Sequence, residues 1–428
     1  MPAPADARAG SIAFTHPDFV LFQIARFLIV AATEMQAVAV GWQVYEITKR
    51  ALDLGLVGLA QFLPGILLFL VSGHASDRFD RRKVLGTCYA GYAICSTLLL
   101  ILAERGAPTV RPIYAVLVLL GVVRSFNGTA SRSILPQLVP EEHFANAVAW
   151  NATTFQAATI IGPSLGGLLY AAFHGPMAVY AAAALTAVGA LVSTFRIKTT
   201  PQARRREPTT MKTVFAGLHF IWREKLILGA ITLDLFAVLL GGAVALLPVY
   251  AREILHTGPW GLGLLRTAPG VGAAVMAVAL AHRPLRGRSG PILLWSVAGF
   301  GICTIIFGFS KSLVVSLIAL ILLGATDMIS VIIRATLVQL QTPDEMRGRV
   351  MAVDMVFIGT SNELGQFESG LTAQWFGTVP AVVLGGVGTL VVIGLWAWMF
   401  PQLRKAGALS GINSKIEAEV SETEERMR

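Results

Sequence analysis

Polar and apolar residues are sorted into blocks along this chain. Long apolar runs alternate with short polar breaks, and each run is long enough to cross a bilayer core of roughly 30 Å as a helix. Twelve runs stand out, at about residues 19–46, 54–71, 84–102, 112–135, 145–173, 176–195, 226–250, 261–281, 291–309, 313–340, 350–376 and 381–400. The pattern predicts an all-α membrane protein with twelve transmembrane helices. The longest break, residues 196–225, divides the chain into an N-terminal six-helix half (1–195), a linker, a C-terminal six-helix half (226–401) and a charged tail (402–428). Within the linker, Val214, Phe215, Leu218, Ile221 and Trp222 share one helical face, flanked by Lys212, Arg223 and Lys225. That is an amphipathic helix, lying on the inner membrane surface or packed against the protein's own cytoplasmic face.

Charge fixes the orientation. An even span count puts both termini on one side, and the basic stretches 78–83, 196–225 (with Arg204, Arg205 and Arg206 in a row) and 283–288 fall on that side too. The excess of Lys and Arg in cytoplasmic loops then predicts both termini inside a bacterial inner membrane. The first run is longer than a signal-peptide core and no small-residue cleavage site follows it, so no cleavable leader is expected.

Composition agrees. Of 428 residues, 55% are hydrophobic and 14% charged, against roughly 25% charged in soluble domains. The net charge of +9 invites a nucleic-acid reading, but the basic residues sit between spans and no basic-aromatic patch occurs, so no nucleic-acid partner is expected. Cys88, Cys95 and Cys303 lie inside apolar runs, as packing residues do, with no disulfide or metal spacing. With no nucleophile motif, metal cluster or phosphate loop, the chain is expected to be neither an enzyme nor the holder of a cofactor, and ATP is not its energy source.

The halves repeat. Arg132-Ser133-Ile134-Leu135-Pro136-Gln137-Leu138 aligns with Arg334-Ala335-Thr336-Leu337-Val338-Gln339-Leu340, and Gly162 and Gly167 align with Gly365 and Gly370. A six-span shift keeps orientation, so the repeat is parallel, with a substrate route expected between the halves. Residues 73–83 form a short polar, basic stretch between the second and third runs, predicted as a tight hairpin loop. Gly73 would let the chain leave the second helix, and Asp77 would meet a helix dipole or an Arg fork.

The spacing Gly73, Asp77, Arg78, Arg81, Arg82 resembles the loop 2–3 signature of the major facilitator superfamily, with Asp80 where many members have Gly. Gly162-Pro163-Ser164-Leu165-Gly166-Gly167 resembles the antiporter motif of its drug exporters; helix packing is the other reading, since small residues let helices approach closely. With His16-Pro17-Asp18-Phe19, Ala145-Asn146-Ala147 and Met346-Arg347-Gly348-Arg349-Val350, the chain is similar to the enterobactin-exporter and macrolide-efflux branch. The resemblance implies export of a small siderophore-like or drug-like molecule by alternating access. It implies a central cavity lined by the first and fourth helices of each half, and a gating role for the loop. Importer and non-transporting receptor or scaffold are the alternatives. A monomer is expected.

Charges inside spans are costly and need a reason. They are Arg26 and Glu34 on the first run, Arg124 and Arg132 on the fourth, Asp234 on the seventh, Asp327 and Arg334 on the tenth, and Asp354, Glu363 and Glu368 on the eleventh. Arg124, Asn127 and Ser131 share one helical face, and Asp327, Ser330 and Arg334 repeat the spacing. With Arg26 these polar groups are the candidates for contacting substrate. Glu34, Asp234 and Asp327 are the proton-coupling candidates, with a permanent ion pair of Glu34 and Asp327 with Arg124 or Arg334 as the other reading. Arg132 and Arg334, near the cytoplasmic ends, are expected to reach the interface. Asp354 is expected to face the opening loop.

Overall fold

A computed structural model describes residues 11–106, 109–198, 211–283 and 287–407. The first half contains α1 (Pro17–Thr48), α2 (Ala51–Leu67), α3 (Phe69–Arg78), α4 (Arg81–Glu104), α5 (Arg111–Ile134), α6 (Phe144–Ala172) and α7 (Met177–Arg196). Then come α8 (Met211–Arg223), α9 (Lys225–Leu240), α10 (Gly258–His282), α11 (Ser289–Phe309), α12 (Leu313–Gln341), α13 (Asp344–Phe376) and α14 (Thr378–Met399). Among the described residues, nine helices are long and apolar enough to cross a membrane. Three of the twelve predicted spans fall outside that set for different reasons. The second is split at Leu68 into α2 and α3; the fifth, α6, is rich in Asn, Thr and Gln; the eleventh, α13, carries Asp354, Glu363 and Glu368. Large apolar side chains such as Leu185, Val391 and Trp398 stand 73%, 63% and 76% exposed, surface that lipid covers.

The contacts group the chain into two units. The first holds Met1–Thr209 with Leu247–Thr267, and the second Thr210–Leu246 with Ala268–Arg428. In the first unit α1 packs on α6 and α7, and α4 on α5 and α7. The second repeats the scheme: α9 packs on α13 and α14, and α11 on α12 and α14. The helix pairing therefore carries the repeat seen in the sequence.

Two expectations are corrected. Residues 73–83 are not a hairpin loop: the helix continues through Gly73 to Arg78, and only Phe79 and Asp80 separate it from α4. Gly73 has open space around it and does not mark the exit. Asp80 serves as N-cap of α4, accepting the Arg82 amide at 2.9 Å, which explains an acid there in place of the family's Gly. Second, the seventh run is not one helix. α9 stops at Leu240 because Gly241 and Gly242 leave it where a Cβ on Gly242 would lie 2.8 Å from the Gly365 carbonyl, and short helical turns follow from Ala243 to Ile254. The linker helix α8 packs one of its faces on the protein, as one of its two readings had it. Ile221 is fully buried with Ile227, Val350 and Val353, against α13. Arg204–Arg206 lie outside the described residues.

Candidate functional site

In the second unit, one guanidinium organises the charged groups. Arg334 is 3% exposed, so it does not reach the interface as its place near the helix end suggests. Its Nη1 donates to Asp354 Oδ1 at 2.6 Å, and its Nη2 lies 3.4 Å from Asp234 Oδ2. Asp354 therefore faces Arg334. Asp327, two turns back on α12, is near enough to Asp234 and Arg334 to act on both electrostatically. Asp234 comes from α9, Asp354 from α13, and Asp327 and Arg334 from α12, so three helices meet around three carboxylates and one cation. Ser330 Oγ and Arg334 Nε are buried there without a partner. Glu363 and Glu368 are held by neighbours on their own helix: Gln366 Nε2 donates to Glu363 at 3.3 Å, and Thr372 Oγ1 to Glu368 at 2.7 Å.

The first unit has the opposite bias. Arg26 donates from Nη1 to Ser131 Oγ at 2.8 Å and lies 5.6 Å over the Phe155 ring, joining α1, α5 and α6. Its Nε is buried without a partner, as are both amide atoms of Gln23 one turn earlier, Asn127 Oδ1 and Asn151 Oδ1. Buried polar groups are normally satisfied; here open donors and acceptors gather around Arg26, one of the residues predicted to contact substrate. The predicted face of Arg124, Asn127 and Ser131 divides. Ser131 turns to Arg26, Asn127 hydrogen-bonds the buried Tyr92 hydroxyl, and Arg124, Gly128 and Arg132 form an exposed line at i, i+4, i+8. Arg124 lies well round the helix from the exposed apolar face of Val118 and Leu119, and the line drifts back towards Val118 at Arg132. Arg124 is a charged side chain exposed at mid-span, which calls for polar surroundings, and Arg132 is in the last turn.

Glu34 does not pair with Arg124. Its ion pair is with Arg266 on α10, Nε to Oε2 at 3.6 Å, with both side chains between a quarter and a third exposed. The Gly162–Gly167 segment builds the surroundings of that pair. A Cβ on Gly162 would lie 2.7 Å from Glu34 Cβ, one on Gly166 2.8 Å from the Met35 backbone, and one on Gly167 2.7 Å from the Pro259 carbonyl. Gly263 meets the Pro163 carbonyl from the other side, again at 2.7 Å from a notional Cβ. Ser164 and Thr267 share a hydrogen bond of 2.8 Å, and Thr267 donates to the Ile160 carbonyl at 3.0 Å. Small residues thus bring α1, α6 and the start of α10 to backbone contact. Beyond the seam, Glu46 accepts from Arg252 at 3.3 Å and from the Tyr170 hydroxyl at 3.2 Å, with Arg252 lying 5.5 Å over Trp42.

The arginines after α3 close helix ends. Arg81 donates to the Ser133 carbonyl at 3.1 Å and Arg82 to the Phe195 carbonyl, satisfying the last turns of α5 and α7. Arg78 is exposed, and the Asp77 side chain lies outside the described side chains. Sequence reasoning missed Arg266, Arg252, Gln23, Asn151 and Phe155. The signal for Arg266 was available, an arginine near the start of the eighth apolar run.

The chain matches the family described as "Transmembrane secretion effector" over residues 10–425. It is 28% identical over 393 residues to the enterobactin exporter EntS of Citrobacter koseri, covering 90% of this chain and 92% of that one. Among solved structures it superposes on a variant of the nucleoside transporter NupG with a TM-score of 0.73 at 12% identity, covering 90% and 100% of the two chains. The D-xylose–proton symporter gives 0.65 at 14% identity, covering 92% and 97%. At such identities the two structures speak for the fold alone. Apolar spans, repeated helix pairing and a match along nearly the whole chain agree: it belongs to the transmembrane secretion effector family of the major facilitator superfamily, membrane transporters and not enzymes.

Proposed function

We propose that this protein is a proton-coupled exporter of a small amphipathic, oxygen-rich molecule, siderophore-like or drug-like, working in the inner membrane by alternating access. The observation that carries the reading is the sorting of in-span charge. Arginines and unpartnered amides concentrate around Arg26, Ser131 and Asn127 in one unit, and carboxylates around Arg334 in the other. Arg26, Arg124 and Arg132 offer donors to acidic or hydroxyl oxygens, and Phe155 offers a ring face beside Arg26. Asp234, Asp327 and Asp354 share one guanidinium, so the cluster has more acids than Arg334 balances, and protons are the charge exchanged there. Glu34, held by Arg266 at the α1–α6–α10 seam, is the second proton site: protonating it releases Arg266 and loosens the seam. Ser330, with its unpartnered hydroxyl beside Arg334, completes the substrate-facing polar set. Both termini and the Arg204–Arg206 stretch lie in the cytoplasm, and the protein acts as a monomer.

The likeness to exporters along the whole chain supports the outward direction; the fold is shared with a symporter and does not decide it. The experiment is accumulation. Cells lacking the protein should retain more of a catechol siderophore or macrolide probe than cells carrying it, and a protonophore should abolish the difference. Equal retention in both, or a difference that survives the protonophore, refutes proton-driven export.

A further inference from the structure

Helix α8 has two unlike faces. One is packed: a Cβ on Gly217 would lie 2.7 Å from the Arg349 carbonyl and 3.2 Å from Val353, and Ile221 is buried between Val350 and Val353. The other is bare. Phe215 is 60% and Trp222 65% exposed, and seven residues' separation puts them in line along the helix. Exposed His219 and Arg223 run beside them on one flank, and exposed Lys225 follows. One exposed aromatic is ordinary surface. Two in line, bordered on one side by basic groups, match the division of an interfacial helix into an acyl-facing edge and a phosphate-facing edge. The chain also fixes the depth: only Glu224 separates α8 from α9, so α8 lies at the bilayer edge where α9 begins.

We infer that the bare face of α8 is a lipid-binding surface that takes anionic phospholipid, with Phe215 and Trp222 in the headgroup–acyl boundary and Arg223 and Lys225 against the phosphates. Tryptophan suits that depth because its ring is apolar and its N–H is wet. Basic charge at this place is matched by the negative surface of anionic lipid. The surface has a mechanical consequence. α8 is seated on α13 one residue from Asp354, which holds Arg334, so whatever lipid holds α8 also holds the helix that supplies the cluster's shortest ion pair.

The test uses the full chain in vesicles of phosphatidylcholine, with or without phosphatidylglycerol, each in turn carrying brominated acyl chains that quench nearby tryptophan. The difference between wild type and Trp222→Phe isolates Trp222. The quenching that Trp222 contributes should be absent in that variant, the other seven tryptophans keeping theirs, and should favour brominated phosphatidylglycerol, by roughly fivefold per basic residue. The preference should shrink accordingly in Arg223→Gln and vanish in Arg223→Gln with Lys225→Gln, whose exposed side chains are not needed for folding. Equal quenching in wild type and Trp222→Phe overturns the inference, as does equal quenching by the two lipids. So does shielding of Trp222 that depends on protein concentration and not on lipid, which would make the face a contact between copies. These readouts need no transport, so they stand or fall apart from the export reading.

Discussion

Replacing Arg334 with methionine keeps most of the side-chain volume and removes the charge. Arg334 is 3% exposed, and the side chains of Asp234 and Asp354 are 10% and 15% exposed, so water replaces little of what is lost. The contact with Asp354 is a hydrogen bond between charged groups, worth about 1.5–3 kcal/mol, that with Asp234 is an ion pair, and removing one partner from a buried ion pair costs about 3–5 kcal/mol. Arg334→Met should therefore destabilise by about 3–5 kcal/mol. Adding Asp234→Asn and Asp354→Asn should restore most of that, because no carboxylate is then left facing another. Thermal unfolding in detergent, run as a mutant cycle, reads both. A melt for Arg334→Met indistinguishable from wild type refutes the argument, and so does a triple variant no more stable than the single.

Three further outcomes follow from the geometry. Gly167→Val puts a side chain where even a Cβ would lie 2.7 Å from the Pro259 carbonyl; overpacking should cost about 1–3 kcal/mol in a melt and slow transport, while Gly73→Ala, with nothing around it, should do neither. Asp80→Ala removes the cap of α4 and should cost about 1 kcal/mol, with Asp80→Asn restoring most of it in the same melt. Glu34→Gln frees Arg266 and should retain substrate binding while losing pH-driven transport; Arg266→Gln should resemble it, whereas an unchanged pH profile in both would remove the pair from the coupling scheme.

The number and order of spans were legible because lipid imposes one requirement everywhere: an apolar run of sufficient length. Departures from regular helix were not, because their causes lie on other helices. Gly241 and Gly242 read as two small residues in an apolar run until Gly365 is placed against them. In-span charge drew attention to Arg26, Asp234, Asp327 and Arg334 without their partners being known. Pairing is a matter of tertiary register: Glu34 finds Arg266 across more than half the chain, while Arg124 on a neighbouring span does not pair with it. Arg132 and Arg334 align in the repeat yet differ in environment. Arg132 is exposed, and Arg334 is buried because α9 and α13 supply Asp234 and Asp354, acids that the first-half repeat lacks. Asp80 shows the reverse: a departure from a family pattern that local capping chemistry explains in full.

The central claim is that substrate movement is exchanged for protons at the carboxylates around Arg334. Its most direct test is substrate-dependent proton movement in proteoliposomes, for wild type and for Asp234→Asn and Asp327→Asn, each confirmed folded by its melt. The account predicts that wild type moves protons against the substrate flux and that the two variants bind substrate but move few or none. Proton movement at the wild-type rate in both variants would contradict it.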